Sequence, residues 1–115
     1  SRDPEVQVWT ALDDAPEAGG CLEFVPGSHR WGLSTPLGGV VPDDVVVRQD
    51  VETKVVRLPV EAGESVLLHN LVWHRSGKTS TGQRRLGFSA CYLSDDIRCV
   101  RKKKTPRTFF EAFGA

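Results

Sequence analysis

The chain has 115 residues, with 15 Lys and Arg balanced by 15 Asp and Glu, three His, three Cys and no Met. That length holds one modest core, and a formal charge of zero argues against a dedicated nucleic-acid binder, which needs a basic excess to meet phosphates. No apolar run reaches the ~18–20 residues of a membrane span, and no charged-then-apolar leader opens the chain. Cys21, Cys91 and Cys99 are odd in number and form no CxxC pair. Neither a disulfide framework nor a zinc ribbon is indicated, and a reducing cytoplasm is the simplest compartment. A start at Ser1-Arg2-Asp3-Pro4, with no initiator Met, reads as a processed chain or part of a longer one.

The apolar residues are skewed toward β-structure. Val outnumbers Ile by 15 to one, and Val is stiff at χ1 and packs well on a pleated surface. In chain order, Val6–Leu12 alternates and stops at Asp13-Asp14-Ala15-Pro16. Cys21–Val25 follows the Gly19-Gly20 turn and ends at Pro26-Gly27. The stretch from Trp31 to Thr53 is rich in Gly and Pro and is expected to be a long irregular loop, either a mobile cover or a surface excursion. Within it, Val45-Val46-Val47 is a weak strand candidate. Lys54–Leu58, Glu64–His69 and Leu86–Leu93 complete the strand set, each bounded by Pro or Gly or by polar clusters.

The tail changes character. Arg101 to Lys104 and Arg107 make a basic run, read either as a solvated segment or as a holder of an anionic group, and Thr108–Phe113 suits one helical turn. The expected organisation is a core over residues 1–95 and a basic tail with a short helix over 96–115. Five or six short strands with tight turns suggest an all-β sandwich, jelly roll or small barrel.

Three kinds of residue are placed to do chemistry. His74 lies just past an apolar run, where a polar Gly/Ser/Thr loop begins. Neutral imidazole is the commonest protein metal ligand, although such a His can equally hydrogen-bond its own loop. His69 lies five residues earlier, and on one strand an odd offset sends two side chains to opposite faces, so His69 reads as structural. Arg84-Arg85 opens the last strand. If one of these points inward it needs an anion, because an unpaired buried charge is costly, and a guanidinium suits a bidentate grip on a carboxylate. Pro26-Gly27-Ser28-His29-Arg30 reads first as a turn in which Ser28 and His29 tie down backbone groups.

The run from Gly20 to Arg30 (GCLEFVPGSHR), preceded by Val8–Asp14 (VWTALDD), closely resembles the phytanoyl-CoA dioxygenase family. So does the series Ala62-Gly63-Glu64, His74-Arg75-Ser76-Gly77 and Arg85. The resemblance covers roughly residues 3 to 93. It implies an Fe(II)- and 2-oxoglutarate-dependent oxygenase on a double-stranded β-helix (a cupin-like jelly roll), incomplete on its N-terminal side. The cofactors it implies are Fe(II) held by two His and one carboxylate, 2-oxoglutarate as cosubstrate, and O2.

Carried over residue by residue, the resemblance makes His74 the distal iron ligand and Arg85 the grip on the far carboxylate of 2-oxoglutarate. Ser76 and Trp9 would line the cosubstrate pocket. The implied partner is a small-molecule substrate, with no nucleic acid and no membrane; oligomeric state is not legible. The family's His-x-Asp motif, which carries the other two iron ligands, would fall before Ser1. The family often has Asn five residues past the distal His, where this chain has Thr79. The expectation is the C-terminal portion of a dioxygenase that hydroxylates a small organic molecule while 2-oxoglutarate becomes succinate and CO2. Two alternatives stand beside it: a cupin-like ligand-binding module without redox chemistry, and a related halogenase lacking the carboxylate.

Overall fold

A computed structural model of the chain describes residues 6–36 and 38–96. The basic run and the helical turn expected near the C-terminus lie outside the described residues.

Among the described residues, six strands form two antiparallel sheets. The first has the order β4-β1-β6, from Val6–Ala11 (β1), Ser65–His69 (β4) and Gly87–Tyr92 (β6). The second has the order β3-β2-β5, from Leu22–Phe24 (β2), Val56–Leu58 (β3) and His74–Ser76 (β5). Each central strand comes early in the chain and its flanks come later, so the sheets close only once residues more than fifty apart have met.

Period-two alternation assigns the faces. In β1, Trp9 and Ala11 are buried, and with Ala15, Cys21, Leu22 and Leu68 they make one hydrophobic cluster. That cluster joins residues of both sheets, so the core lies between them. The register pairs Trp9 with Val66 and Ser89, and Ala11 with Gly87. Gly87 has a packing reason: a Cβ there would sit 2.4 Å from Cζ2 of Trp9. The other face of this sheet is open, with Leu67 70 % and Phe88 61 % exposed.

A 3-10 turn at Ser28–Trp31 leads into the stretch read as an irregular loop, which itself carries two short helices, Asp43–Arg48 (α1) and Val51–Lys54 (α2). The Val45–Val47 strand expectation is overturned, since these residues lie inside α1. Three local signals outweigh the β-branched run. Pro42 sets the N-cap, Asp43 and Asp44 sit in the first turn where the helix dipole favours negative charge, and Arg48 donates to the Asp44 carboxylate one turn back at 2.9 Å. Asp50, with φ 49, takes the left-handed turn between the helices, and its carboxylate accepts from the Thr53 hydroxyl at 2.8 Å. Lys54, expected to open a strand, closes α2 instead.

The second correction concerns His74. It does not begin a loop; it begins β5, which pairs with β2 through Phe24↔His74, Glu23↔Arg75 and Leu22↔Ser76. His69 and His74 therefore lie on strands of different sheets, and their five-residue offset along one strand has no bearing on how they face. No described helix is long and apolar enough to cross a membrane.

Candidate functional site

The predicted residues fall on the facing sides of the two sheets. Leu22 is buried in the shared core, so Phe24, which follows it by two, lies on the same face of β2. Their cross-strand partners Ser76 and His74 share that face. In the first sheet Gly87 pairs with buried Ala11, and continuing the alternation back by two places Arg85 on the same side. Its guanidinium carbon lies 5.7 Å from the centre of the Trp9 ring, within cation–π range. Trp9 and Arg85 are thus in contact, and His74 and Ser76 stand on the opposing sheet, both still exposed.

Local hydrogen bonds set the state of the imidazole. Nδ1 of His74 lies 2.9 Å from the carbonyl oxygen of Val72. A carbonyl only accepts, so Nδ1 carries the proton and Nε2 keeps its lone pair free. Metal-binding imidazoles commonly take this arrangement, with the second ring nitrogen donating to a backbone carbonyl. His74 therefore fits a metal ligand. Among the described residues no group of three or more His, Cys, Asp and Glu is placed to hold a metal ion.

Arg85 differs from its neighbours in what it touches. Arg84 donates from Nε and Nη2 to the two carboxylate oxygens of Asp13, each at 3.1 Å. Arg57 and Arg75 both donate to Glu23. Arg85 has no carboxylate partner among the described residues and is half-buried against Trp9. The Asp13 carboxylate also accepts from the backbone N–H of Leu86 at 3.0 Å, so the residues on both sides of Arg85 are pinned to the same turn. Hydrogen bonds from Arg84 hold the Asp13 carboxyl below its ordinary range.

The Pro26–Arg30 turn is structural at its centre. The hydroxyl of Ser28 is fully buried; it donates to the Val25 carbonyl at 2.7 Å and accepts from the Trp73 N–H at 2.8 Å. This single side chain ties the end of β2 to the approach of β5. The His29 ring packs against that of His69, with centroids 5.0 Å apart, and His69 Nδ1 accepts from the Leu71 N–H at 3.0 Å. Burial pushes the Cys21 thiol up, away from the reactive thiolate.

A cavity of about 760 Å³ opens beside β5, within the size range of small-molecule sites. The helical stretch supplies Val46, Val51 and Val55, and β5 with its approach supplies Val72, Trp73 and His74. The lining is chiefly apolar but also carries Glu23, Asp43 and Arg75, while Trp9, Ser76 and Arg85 lie outside it.

Sequence reasoning did not single out Glu23. It lies at the centre of β2 with its side chain 9 % exposed, on the face away from the core, opposite Arg57 of β3 and Arg75 of β5. Hydrogen bonds from Arg75 and then Arg57 outweigh its desolvation and hold its carboxyl below the ordinary range. A charged residue inside the apolar run Leu22–Phe24 was the available signal, but its partners appear only once the strand register is known.

The profile of the family described as Phytanoyl-CoA dioxygenase (PhyH) matches residues 2–87. Phytanoyl-CoA dioxygenase domain-containing protein 1 of Danio rerio is 40 % identical over 85 residues, spanning 68 % of this chain and 29 % of that protein. The peroxisomal phytanoyl-CoA dioxygenase of Homo sapiens is 30 % identical over 112 residues, spanning 92 % of this chain and 33 % of that protein. Among solved structures, the non-heme alpha ketoglutarate dependent epimerase SnoN from nogalamycin biosynthesis superposes with a TM-score of 0.57 at 32 % identity, covering 78 % of this chain and 31 % of that one. The chain spans about a third or less of the length of these relatives. With three quarters of its residues inside one family profile, its six strands in two sheets and its fold shared with a non-heme enzyme, the chain belongs to the phytanoyl-CoA dioxygenase family.

Proposed function

We propose that this chain is the C-terminal portion of an Fe(II)- and 2-oxoglutarate-dependent dioxygenase acting on a small organic substrate, and that its two sheets are part of a double-stranded β-helix. The observations that support the reading are an imidazole on one sheet whose Nδ1 is engaged by the Val72 carbonyl and, on the other sheet, a half-buried guanidinium over Trp9 with no carboxylate partner among the described residues. A metal bound to the keto end of a diacid needs a cation at the other end, and this pair supplies one group of each kind.

Bound iron would supply the activation of O2 that couples oxidative decarboxylation of 2-oxoglutarate, giving succinate and CO2, to hydroxylation of the substrate. The chain's own residues do the positioning. His74 presents Nε2 while the Val72 carbonyl fixes its tautomer. Arg85 offers paired N–H donors to the distal carboxylate, and the Trp9 ring beneath it limits the directions the guanidinium can take. Ser76 shares a strand face with His74 and lines the cosubstrate side. The cavity lined by Val46, Val51 and Val72 suits a substrate with an apolar body. The remaining iron ligands would come from a His-x-Asp pair in the parent protein.

The test uses the parent protein. Supplied with iron, it should release succinate from 2-oxoglutarate, and His74→Ala should abolish iron retention in metal analysis. Arg85→Ala should weaken 2-oxoglutarate binding by about tenfold or more, since a charge-assisted hydrogen bond contributes roughly 1.5–3 kcal/mol. An unchanged cosubstrate affinity in Arg85→Ala would remove the assignment. Absence of both iron retention and succinate release in the wild type would favour the non-catalytic ligand-binding module.

A further inference from the structure

We infer that Arg75, clamped between Glu23 and Glu52, is a positioning residue that sets the orientation of His74 and holds the helical stretch against the cavity. His74 and Arg75 are neighbours on a three-residue strand, so they leave β5 on opposite faces. On its face Arg75 is held from two directions. Nε donates to Glu23 Oε2 at 2.6 Å, while Nη1 and Nη2 donate to the two oxygens of Glu52 at 2.8 and 3.0 Å. Glu23 is fixed in the centre of the sheet and also accepts from Arg57 Nε at 3.2 Å. Glu52 belongs to α2, whose Val51 lines the cavity.

One planar guanidinium therefore joins three elements: the central strand of the second sheet, its edge strand, and the helix that walls the cavity. A rigid fork satisfied on both edges fixes direction as well as distance. Because Arg75 and His74 share a peptide unit, fixing the rotation of one about the strand axis fixes the other. Stability is a poor explanation for the outer half of the clamp. The Glu52 side chain is 68 % exposed, and exposed ion pairs contribute little to folding. What the bidentate pair does supply is a link between residues 23 positions apart, across the wall of the cavity.

That His74 is the side chain needing orientation rests on the oxygenase reading; the mechanical link does not, and it can be tested on the 115-residue chain without metal or cosubstrate. Amide hydrogen exchange should rise about tenfold or more over both residues 43–54 and 72–76 in Arg75→Ala and in Glu52→Ala, with β1, β4 and β6 unchanged. Nitrogen-edge NMR of the His74 ring, taken above the imidazole titration range, should show one Nδ1–H tautomer in the wild type and a mixture in Arg75→Ala. Arg75→Lys, which keeps the charge but loses the fork, should resemble Arg75→Ala. A uniform rise in exchange across all strands would reduce Arg75 to a stabilising residue and overturn the inference. An unchanged tautomer in Arg75→Ala, or full preservation of both readouts in Arg75→Lys, would overturn it as well. Failure of iron or 2-oxoglutarate binding in the parent protein would leave these readouts untouched, so the two proposals fail separately.

Discussion

Glu23 is a carboxylate inside a strand, with a guanidinium on either side. Arg75 and Arg57 together keep it ionised despite its burial. Its pKa is depressed from the ordinary 4.5, so its contribution to stability is complete above that value and is lost as pH falls through the lower folded value. Glu23→Gln should cost about 1–3 kcal/mol at neutral pH, because hydrogen bonds to a charged group are replaced by weaker ones. In urea unfolding the gap between wild type and variant should be constant from pH 7 to 5 and then narrow in acid. A gap that widened in acid would mean that the carboxyl is protonated in the native state. Trp9 and Arg85 were named from the family resemblance, and the structure brings their side chains into contact. Glu23 and Ser28 could not be given their partners, since Arg75 and Trp73 lie about fifty positions away and meet them only through strand pairing.

Strands were legible wherever an apolar or alternating run was bounded by Gly, Pro or polar clusters. Val6–Ala11, Ser65–His69 and Gly87–Tyr92 lie within a residue or so of the boundaries read from sequence. His74–Ser76 was not legible, because it is short and polar: all three residues remain exposed and the strand exists through its pairing with β2. The helix Asp43–Arg48 was hidden by three consecutive Val residues, and its Pro-Asp-Asp start was the signal to weigh against them. Between elements, Gly87 sets how closely β6 can approach the Trp9 ring. Gly87→Ala should displace the indole and cost about 1–3 kcal/mol as overpacking. Near-ultraviolet circular dichroism should register the moved ring, and in the parent protein 2-oxoglutarate binding should weaken with it, because Arg85 rests on that ring. Loss of stability without any change in the aromatic signal would place the strain elsewhere.

Among the described residues, the first sheet has one face against the core and one facing away from it. The side of β1, β4 and β6 away from the core presents Leu67 and Phe88, 70 % and 61 % exposed. Large apolar groups clustered on a free surface favour association. The double variant Leu67→Ser with Phe88→Ser should lower both dye binding and concentration-dependent scattering of the 115-residue chain. Its unfolding midpoint should stay within about 0.5 kcal/mol of wild type, as for substitutions outside the core. An unchanged scattering curve would show that this face is not what associates. The same scale sets what the sequence could convey. The family was readable from motifs spread over most of the chain, whereas the completed metal site was not, since the described residues supply one inward imidazole and no three-ligand cluster.

Adjacent residues of β5 project to opposite sides of their sheet, and this gives the strand a check on its own threading. Were β5 to slip by one position along β2, the imidazole would be carried out to the solvent side and the guanidinium turned toward Leu22 and Phe24, stripped of both acids. A mispaired intermediate would thus forfeit its salt links and bury a lone cation at the same moment as it lost a ligand. On the proposed oxygenase reading, correct pairing of the edge strand and correct placement of His74 therefore depend on one and the same alignment.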